Sequence, residues 1–307
     1  ALGGGNGLAS MLRGLKKYTE NVTAIVTVAD DGGSSGMLRE DLGILPPGDL
    51  RNCILALSNT EPLMAGLIDY RFTEGSLKGQ NVGNIVLAAL NDICGSFSVA
   101  VAKLSEVLSI TGRVLPVTLE NVELEAEFEN GARVRGESKI AERKRAENCR
   151  IKRGKLIPEH PKALLECLES IRLADMIVFG PGSLYTSVVP NLLCDGVVEA
   201  IRDSDAVKVC VCNAMTQEGE TEGYTVSDHI KGIFSHAGEK LFDICLANCA
   251  QVSEATMREY EKEDSEQTRV DPEIVKKLGV KLVEREIITE SGGQVRHDPK
   301  KLAKELL

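Results

Sequence analysis

The stretch Met176-Ile177-Val178-Phe179-Gly180-Pro181-Gly182-Ser183 decides the fold. Four apolar residues in succession read as a short strand buried on both faces, the kind found in a parallel sheet covered by helices. The glycine-rich turn after it is where such a strand hands over to a helix. A second junction of this kind is Gly3-Gly4-Gly5-Asn6-Gly7, ahead of Leu8, Met11, Leu12 and Leu15 at helical spacing. Backbone N–H groups at such junctions come within reach of a phosphate, and the helix N-terminus adds partial positive charge. Two of them in one parallel sheet predict a phosphate-bearing ligand in a crevice at the strand ends.

The rest of the chain alternates accordingly. Val22 to Val28 is a β-branched run ending in Ala29-Asp30-Asp31. Leu50 to Leu57, Leu63 to Ile68, Ile85 to Ile93 and Val99 to Leu108 read as successive helices, a long crossover to a short strand at Arg113 to Val117. A helix is expected over Pro161 to Leu173 and another over Ser227 to Phe234, with strands at Val207 to Cys212 and Phe242 to Ala247. The pattern predicts an α/β fold with a mainly parallel, doubly wound sheet. One domain spanning 1–307 is expected, interrupted by a β-hairpin insertion around 118–157. There Val122, Leu124, Ala126 and Phe128 alternate with glutamates, Asn130-Gly131 makes the turn, and Ala132-Arg133-Val134-Arg135 returns with basic partners. The insertion reads either as a solvated ornament or as a dimer arm or lid.

Composition narrows the function. The chain has 307 residues, 43% of them hydrophobic, enough for a large core. Its net charge of -10 argues against nucleic acid or an anionic membrane as partner, so an anionic ligand must be met by local donors. No apolar run reaches the roughly 18 residues of a membrane helix. Ala1-Leu2 reads as the last piece of a strand that starts upstream. Nine cysteines in mostly apolar contexts point to a reducing, cytoplasmic setting.

Asp30 lies 25 residues after Gly5, at a strand end where an acidic group commonly meets a ribose diol. Asp30-Asp31-Gly32-Gly33 also reads as a plain turn. Against that, Gly32-Gly33-Ser34-Ser35-Gly36 is longer than a turn needs, and such small residues let a backbone wrap a ligand. Asp30 and Asp31 together are candidates for a divalent ion, magnesium if any. Pro47-Gly48-Asp49 precedes a helix; Asp49 reads as its N-cap, with Arg51 and Asn52 in reach of an anion. Gly79-Gln80-Asn81-Val82-Gly83-Asn84 leads into a helix, with amide side chains where a nucleotide would want directional hydrogen bonds. Asn213-Ala214-Met215-Thr216-Gln217 follows the strand ending at Cys212, where doubly wound folds place ligand contacts.

Val26 to Gly36, Pro47 to Asn52, Gly180 to Ser187 and Met215-Thr216-Gln217 resemble the gluconeogenesis factor (YvcK-type) family, in the superfamily that also holds 2-phospho-L-lactate transferase. The resemblance runs from the first glycines to Arg296-His297-Asp298. It implies a Rossmann-like three-layer fold, a cytoplasmic location and binding of a nucleotide sugar such as UDP-N-acetylglucosamine. It also implies a role dividing carbon between gluconeogenesis and cell-wall precursors, and in cell shape. The family's tyrosine and arginine that contact the ligand correspond to Tyr260 and Arg296; a phenol suits stacking and a guanidinium suits a diphosphate. Departures are Asn6 for a usual threonine, Gln80-Asn81-Val82 for a common His-Ser-Phe, and Met37 and Glu218 where arginine and proline are frequent. The missing histidine favours binding over chemistry.

Other chemistry reads poorly. His229 and His236 share a helix face without a carboxylate pattern, Cys210 and Cys212 sit in a buried strand with Cys245 and Cys249 as remote companions, and Ser183 reads as an N-cap, not a nucleophile. The expectation is therefore a nucleotide-sugar or dinucleotide site without catalytic residues. Gly4, Gly5, Asn6, Gly7, Gly180, Pro181, Gly182 and Ser183 would cradle phosphate. Asp30, Asp31, Gly32, Gly33, Ser34, Arg51, Asn52, Asn84, Asn213, Tyr260 and Arg296 would complete the site. A homo-oligomer and an enzyme partner from the amino-sugar pathway are the expected associations. The alternatives are a magnesium-dependent transferase and an NAD(P)-binding protein.

Overall fold

The structure, a computed structural model, describes residues 1–147 and 149–307. The first half runs β1 (Leu2–Gly3), α1 (Gly5–Leu15), β2 (Thr23–Val26), α2 (Gly33–Leu42), α3 (Gly48–Leu57), α4 (Pro62–Asp69), α5 (Val82–Cys94), α6 (Phe97–Val107) and β3 (Arg113–Pro116). An excursion follows through β4 (Glu123–Phe128), β5 (Arg133–Arg135), α7 (Glu137–Glu147) and β6 (Ile151–Ile157). The chain then re-enters the sheet through β7 (Met176–Phe179), β8 (Val207–Val211), β9 (Ile244–Asn248) and β10 (Lys281–Arg285). It ends with a hairpin of β11 (Ile288–Ser291) and β12 (Gln294–His297) and the helix Pro299–Leu306.

The seven-stranded sheet has the order β10-β9-β8-β7-β1-β2-β3, with every pair parallel. The chain winds outward from β1 to β3, then returns beside β1 as β7 and winds the other way. Leu2 pairs with Ile25 on one side and Phe179 on the other. The direction therefore reverses between β1 and β7, and open α/β sheets place ligands at the carboxyl ends of such a pair. Ile25, Val26, Ile177, Val178 and Phe179 are all buried because helices cover both faces. Apolar residues at both odd and even positions follow from that. Among the described residues, no helix is long and apolar enough to cross a membrane.

The insertion is larger than a hairpin. β4 and β5 pair as expected, Glu125 opposite Arg135 and Glu127 opposite Arg133, but β6 adds a third strand on the other side of β4. The lysines and arginines of β6 masked its alternation. The helix expected from Pro161 begins only at Leu165. Residues before it are held extended, with Lys162 O accepting the Thr118 hydroxyl and Leu164 N–H donating to Val117 O. The open wrap expected at Gly32–Gly36 is instead the start of α2: Gly32 is its N-cap, and Gly32 N–H donates to Asp30 Oδ1 at 2.8 Å.

Helix Pro299–Leu306 packs on α1 at Gly14, where any side chain would run into the Pro299 carbonyl. That contact carries the preceding strand, β12, back to the first glycine loop.

Candidate functional site

The glycine loops following β1 and β7 meet. A Cβ at Gly7 would lie 2.7 Å from the Pro181 carbonyl oxygen, and one at Gly182 would lie 3.2 Å from Gly4 O. Between them opens a cavity of about 400 Å³, within the range of small-ligand sites. Of the sequence-predicted residues, Gly4, Gly5, Asn6, Gly7, Asp30, Pro181, Gly182, Ser183, Asn213 and Arg296 line it. They come from four strand ends and the terminal hairpin.

The remaining candidates are not in its wall. Gly180 is buried where β7 ends, its N–H donating to Leu2 O. Ser34 donates to Gln80 Oε1 at 2.8 Å and receives Asn81 N–H. Asn84 is buried, with its N–H on Asn81 Oδ1 and its own Oδ1 unpaired. Arg51 is buried and pairs with Asp69 at 2.6 Å, while Asn52 is half-buried beside it on α3. Gly33 opens α2. Asp31 turns to the insertion: its Oδ1 accepts Ser138 N–H at 2.9 Å, and Gly136 packs against its carboxylate. Tyr260 lies behind the wall. Its hydroxyl accepts Val295 N–H at 2.9 Å and lies 3.5 Å from Val295 O, bracing β12.

Ala214, Met215 and Gln217, from the loop expected to meet a ligand, line the cavity as well, whereas Ser10, Asp49, Glu137, Ser187, Val295 and His297 were not foreseen as lining residues. Asp49 is in the first turn of α3, whose N-cap is Pro47, so it is not the cap. Its carboxyl instead receives Gly5 N–H, while burial, then the Asp30 charge, push its pKa up to about 7. Asp30 is raised mainly by burial, against the hydrogen bonds from Gly32 and Ser35. Glu137, at the start of α7, is pushed up by burial and then by Asp30 and Asp49. These carboxyls repel one another in a poorly solvated pocket, which favours their neutral forms.

The second loop also departs from expectation. The Ser183 hydroxyl does not cap the helix; it donates to Gln217 Oε1 at 2.6 Å. Gly182 N–H reaches Asn213 Oδ1 at 3.4 Å. The N–H groups of Tyr185 and Thr186, opening the π-helical turn Leu184–Val188, are taken by Glu220 Oε1 at 2.5 and 3.1 Å. Glu220 is 2% exposed, and burial pushes it up to about 7. A protein carboxylate thus already occupies the anion-binding end of that helix. The first turn of α1 differs: Gly5 N–H is held by Asp49, and the following Asn6 and Gly7 N–H groups have no intrahelical acceptor.

His229 and His236 are structural. His229 Nδ1 lies 2.9 Å from Thr225 O, and His236 Nε2 accepts Gly154 N–H at 2.8 Å. Cys210, Cys212 and Cys245 are buried against one another, whereas Cys249 is exposed. Among the described residues, no group of three or more metal-binding side chains gathers.

The model of the family described as 2-phospho-L-lactate transferase CofD matches residues 1–288. A relative from Thermoanaerobacterium thermosulfurigenes is 52% identical over 306 residues, covering 100% of this chain and 94% of its own length. The gluconeogenesis factor of Bacillus subtilis is 46% identical, with 98% of this chain and 94% of the relative covered. A crystal structure of a upf0052 family member from Bacillus halodurans superposes with a TM-score of 0.96 at 46% identity, covering 100% of this chain and 98% of its own. On these matches the chain belongs to the CofD family and, within it, to the gluconeogenesis factors.

Proposed function

We propose that the chain binds a nucleotide sugar of the UDP-N-acetylglucosamine kind in this cavity, and that it regulates the division of carbon between gluconeogenesis and cell-wall precursors, and thereby cell shape. One observation carries the reading: the loops after β1 and β7 face each other across a polar cavity at the point where the sheet reverses direction. The Asn6 and Gly7 amides and Arg296 suit a diphosphate. The carboxyls of Asp30, Asp49 and Glu137 suit sugar and ribose hydroxyls, which donate to them. The gluconeogenesis factor name of similar proteins supports the regulatory role. A cytoplasmic setting, a homo-oligomer and an enzyme partner of the amino-sugar pathway belong to the same reading.

Titration calorimetry with a panel of nucleotide sugars, UDP and NAD(H), each with and without magnesium, tests it. UDP-N-acetylglucosamine should bind most tightly, without turnover. Tighter binding of a nicotinamide dinucleotide would replace the reading with a redox-cofactor one.

The acidic wall favours a second reading, a magnesium-dependent transferase of the CofD kind. Asp30 and Asp49 both line the cavity, and the Asp30 charge, after burial, pushes the Asp49 pKa up, so a hard cation held by the two carboxylates would relieve their repulsion. With Asp31 turned to Ser138, phosphate oxygens and water would have to complete the shell. A cation there would neutralise the diphosphate. Magnesium-dependent turnover of a phosphorylated hydroxy acid with a nucleotide-activated acceptor would establish this second reading and end the first.

A further inference from the structure

The loop after β7 has the sequence of a phosphate cradle, yet its own donors are already taken. Tyr185 and Thr186 N–H go to Glu220 Oε1, Gly182 N–H reaches Asn213 Oδ1 at 3.4 Å, and the Ser183 hydroxyl meets Gln217 Oε1 at 2.6 Å. Two side-chain amides take the place of those donors, since Asn213 and Gln217 both line the cavity.

The orientation of each amide follows from what it holds. A backbone N–H only donates, so the atom that Gly182 meets is the Asn213 oxygen and not its nitrogen. A separation of 2.6 Å is that of an O–H···O pair, which puts the Gln217 oxygen on Ser183. The other arm of each amide is an NH2 group, which donates and does not accept. Neither nitrogen has a protein partner among the described residues. Asn213 is half-buried, its Nδ2 is not shut away from solvent, and Gln217 is exposed, so a ligand can reach both. Between them in the chain, Ala214 and Met215 add apolar surface to the same wall.

Resting on the nucleotide-sugar reading, we propose that Asn213 and Gln217 form a specificity subsite, which donates to an uncharged carbonyl of the ligand, on its base or on an acetamido group. The diphosphate stays with the first glycine loop and Arg296. Neutral amides bring no charge to set against the buried Glu220 carboxyl that fills the helix end beside them. An anion therefore gains less here than at the Asn6 and Gly7 amides, where no carboxyl occupies the helix end. The apolar surface of Ala214 and Met215 suits a flat base or a methyl group in the same way. A ligand with an amino group where the carbonyl should be sets donor against donor, and one without the carbonyl leaves the amides unmatched.

The test is calorimetric titration of three ligands that share a diphosphate. They are UDP-N-acetylglucosamine, UDP-glucose, which lacks the acetamido group, and CDP-glucose, whose base carries an amino group in place of one carbonyl. Each is titrated into the wild-type chain, Asn213→Asp and Gln217→Glu, with circular dichroism melts to establish folding. These variants keep the acceptors for Gly182 N–H and the Ser183 hydroxyl and remove only the NH2 donors. The charge they add weakens all three ligands alike and cancels in the affinity ratios. Wild type should prefer one member of a pair by about tenfold or more. That is UDP-N-acetylglucosamine over UDP-glucose for an acetamido carbonyl, and UDP-glucose over CDP-glucose for a base carbonyl. The variants should bring the preference down to about threefold or less; a collapse in one variant alone assigns the carbonyl to that residue. Ratios that stay at their wild-type values in both variants overturn the inference, even where affinity falls equally for all three ligands, the mark of donors on the diphosphate. A wild-type chain without such a preference in either pair overturns it as well. Should a carboxylate variant fail to fold or to bind, the uncharged Asn213→Ala and Gln217→Met take its place, with the same ratios read in the same way. A wild-type chain that binds none of the three overturns the functional reading itself, and this inference with it.

Discussion

Gly7 faces Pro181 so closely that a methyl group on Gly7 would sit 2.7 Å from the Pro181 carbonyl oxygen. The first glycine loop is therefore packed directly on the second, and the absence of a side chain is what lets the two phosphate-type junctions share one cavity. Gly7→Ala should force the loops apart. Overpacking of this kind costs about 1–3 kcal/mol, and the moved backbone belongs to the ligand wall. Urea denaturation should report the loss of stability, and nucleotide-sugar affinity should fall with it; a variant with wild-type stability and affinity would mean that the loops yield freely.

Arg296 offers the opposite case. Its side chain is exposed, and it donates to Gln294, two residues away on the same strand. Arg296→Ala should leave the melting temperature within about 1 °C of wild type, as surface changes generally do. It should weaken binding of UDP-N-acetylglucosamine by at least tenfold, about 1.4 kcal/mol. Unchanged affinity by calorimetry would remove Arg296 from the site.

Tyr260 acts through β12 in this structure, since its hydroxyl meets the backbone of Val295, one residue before Arg296. Tyr260→Phe keeps the ring and loses that brace, leaving Val295 N–H without its acceptor. A loss of about 1 kcal/mol in stability and a severalfold drop in affinity are expected. A stacking role alone would leave the Phe variant binding like wild type, so the calorimetric comparison separates the two.

Asp49 gives the pH dependence. Its carboxyl has an ordinary value of 3.8 when free and is pushed up to about 7 in the fold. Between these values the native state holds a proton that the unfolded chain releases, so this group makes stability fall as pH rises from about 4 to about 7, and the effect levels off above. Asp49→Asn keeps an acceptor for Gly5 N–H and removes the titration. Its stability relative to wild type should therefore rise across that window, by up to about 4 kcal/mol. Denaturant curves at pH 5 and pH 8 that keep the same difference would show that Asp49 ionises normally. A cation between Asp30 and Asp49 would hold Asp49 ionised and flatten the wild-type dependence.

Glu220 tests the occupied helix end. Its Oε1 accepts two buried N–H groups, those of Tyr185 and Thr186. Glu220→Ala would leave both unpaired, a loss of several kcal/mol at about 1–3 kcal/mol for each. Glu220→Gln, which retains the carbonyl acceptor, should restore most of it. Equal loss in the two variants, read by urea denaturation, would place the contribution in the charge and not in the acceptor.

The sequence determined the class of fold and the two ends of the site. Met176 to Phe179 is apolar at every position, and Val22 to Val28 at all but Thr23 and Thr27, because helices cover both faces, and that demand is local enough to be visible residue by residue. Glycines after strand ends marked the loops that would approach a ligand. β6, with Lys152, Arg153 and Lys155 on a solvated sheet, showed no such pattern, and β10 to β12 were equally unreadable, because exposed strands place few demands on composition. Only the tertiary structure decided which polar groups share the cavity. Asp49 looked like a helix cap, Glu137 belonged to an insertion more than 100 residues from Asp30, and His297 lay at the far end of the chain. Their meeting follows from the parallel sheet, which brings the carboxyl ends of β1, β2, β7 and β8 to one edge, and from the packing of Pro299 on Gly14. The shifted ionisation of the carboxyls exists only once that edge is closed, since mutual repulsion and lost solvation are properties of distance in space and not of position along the chain.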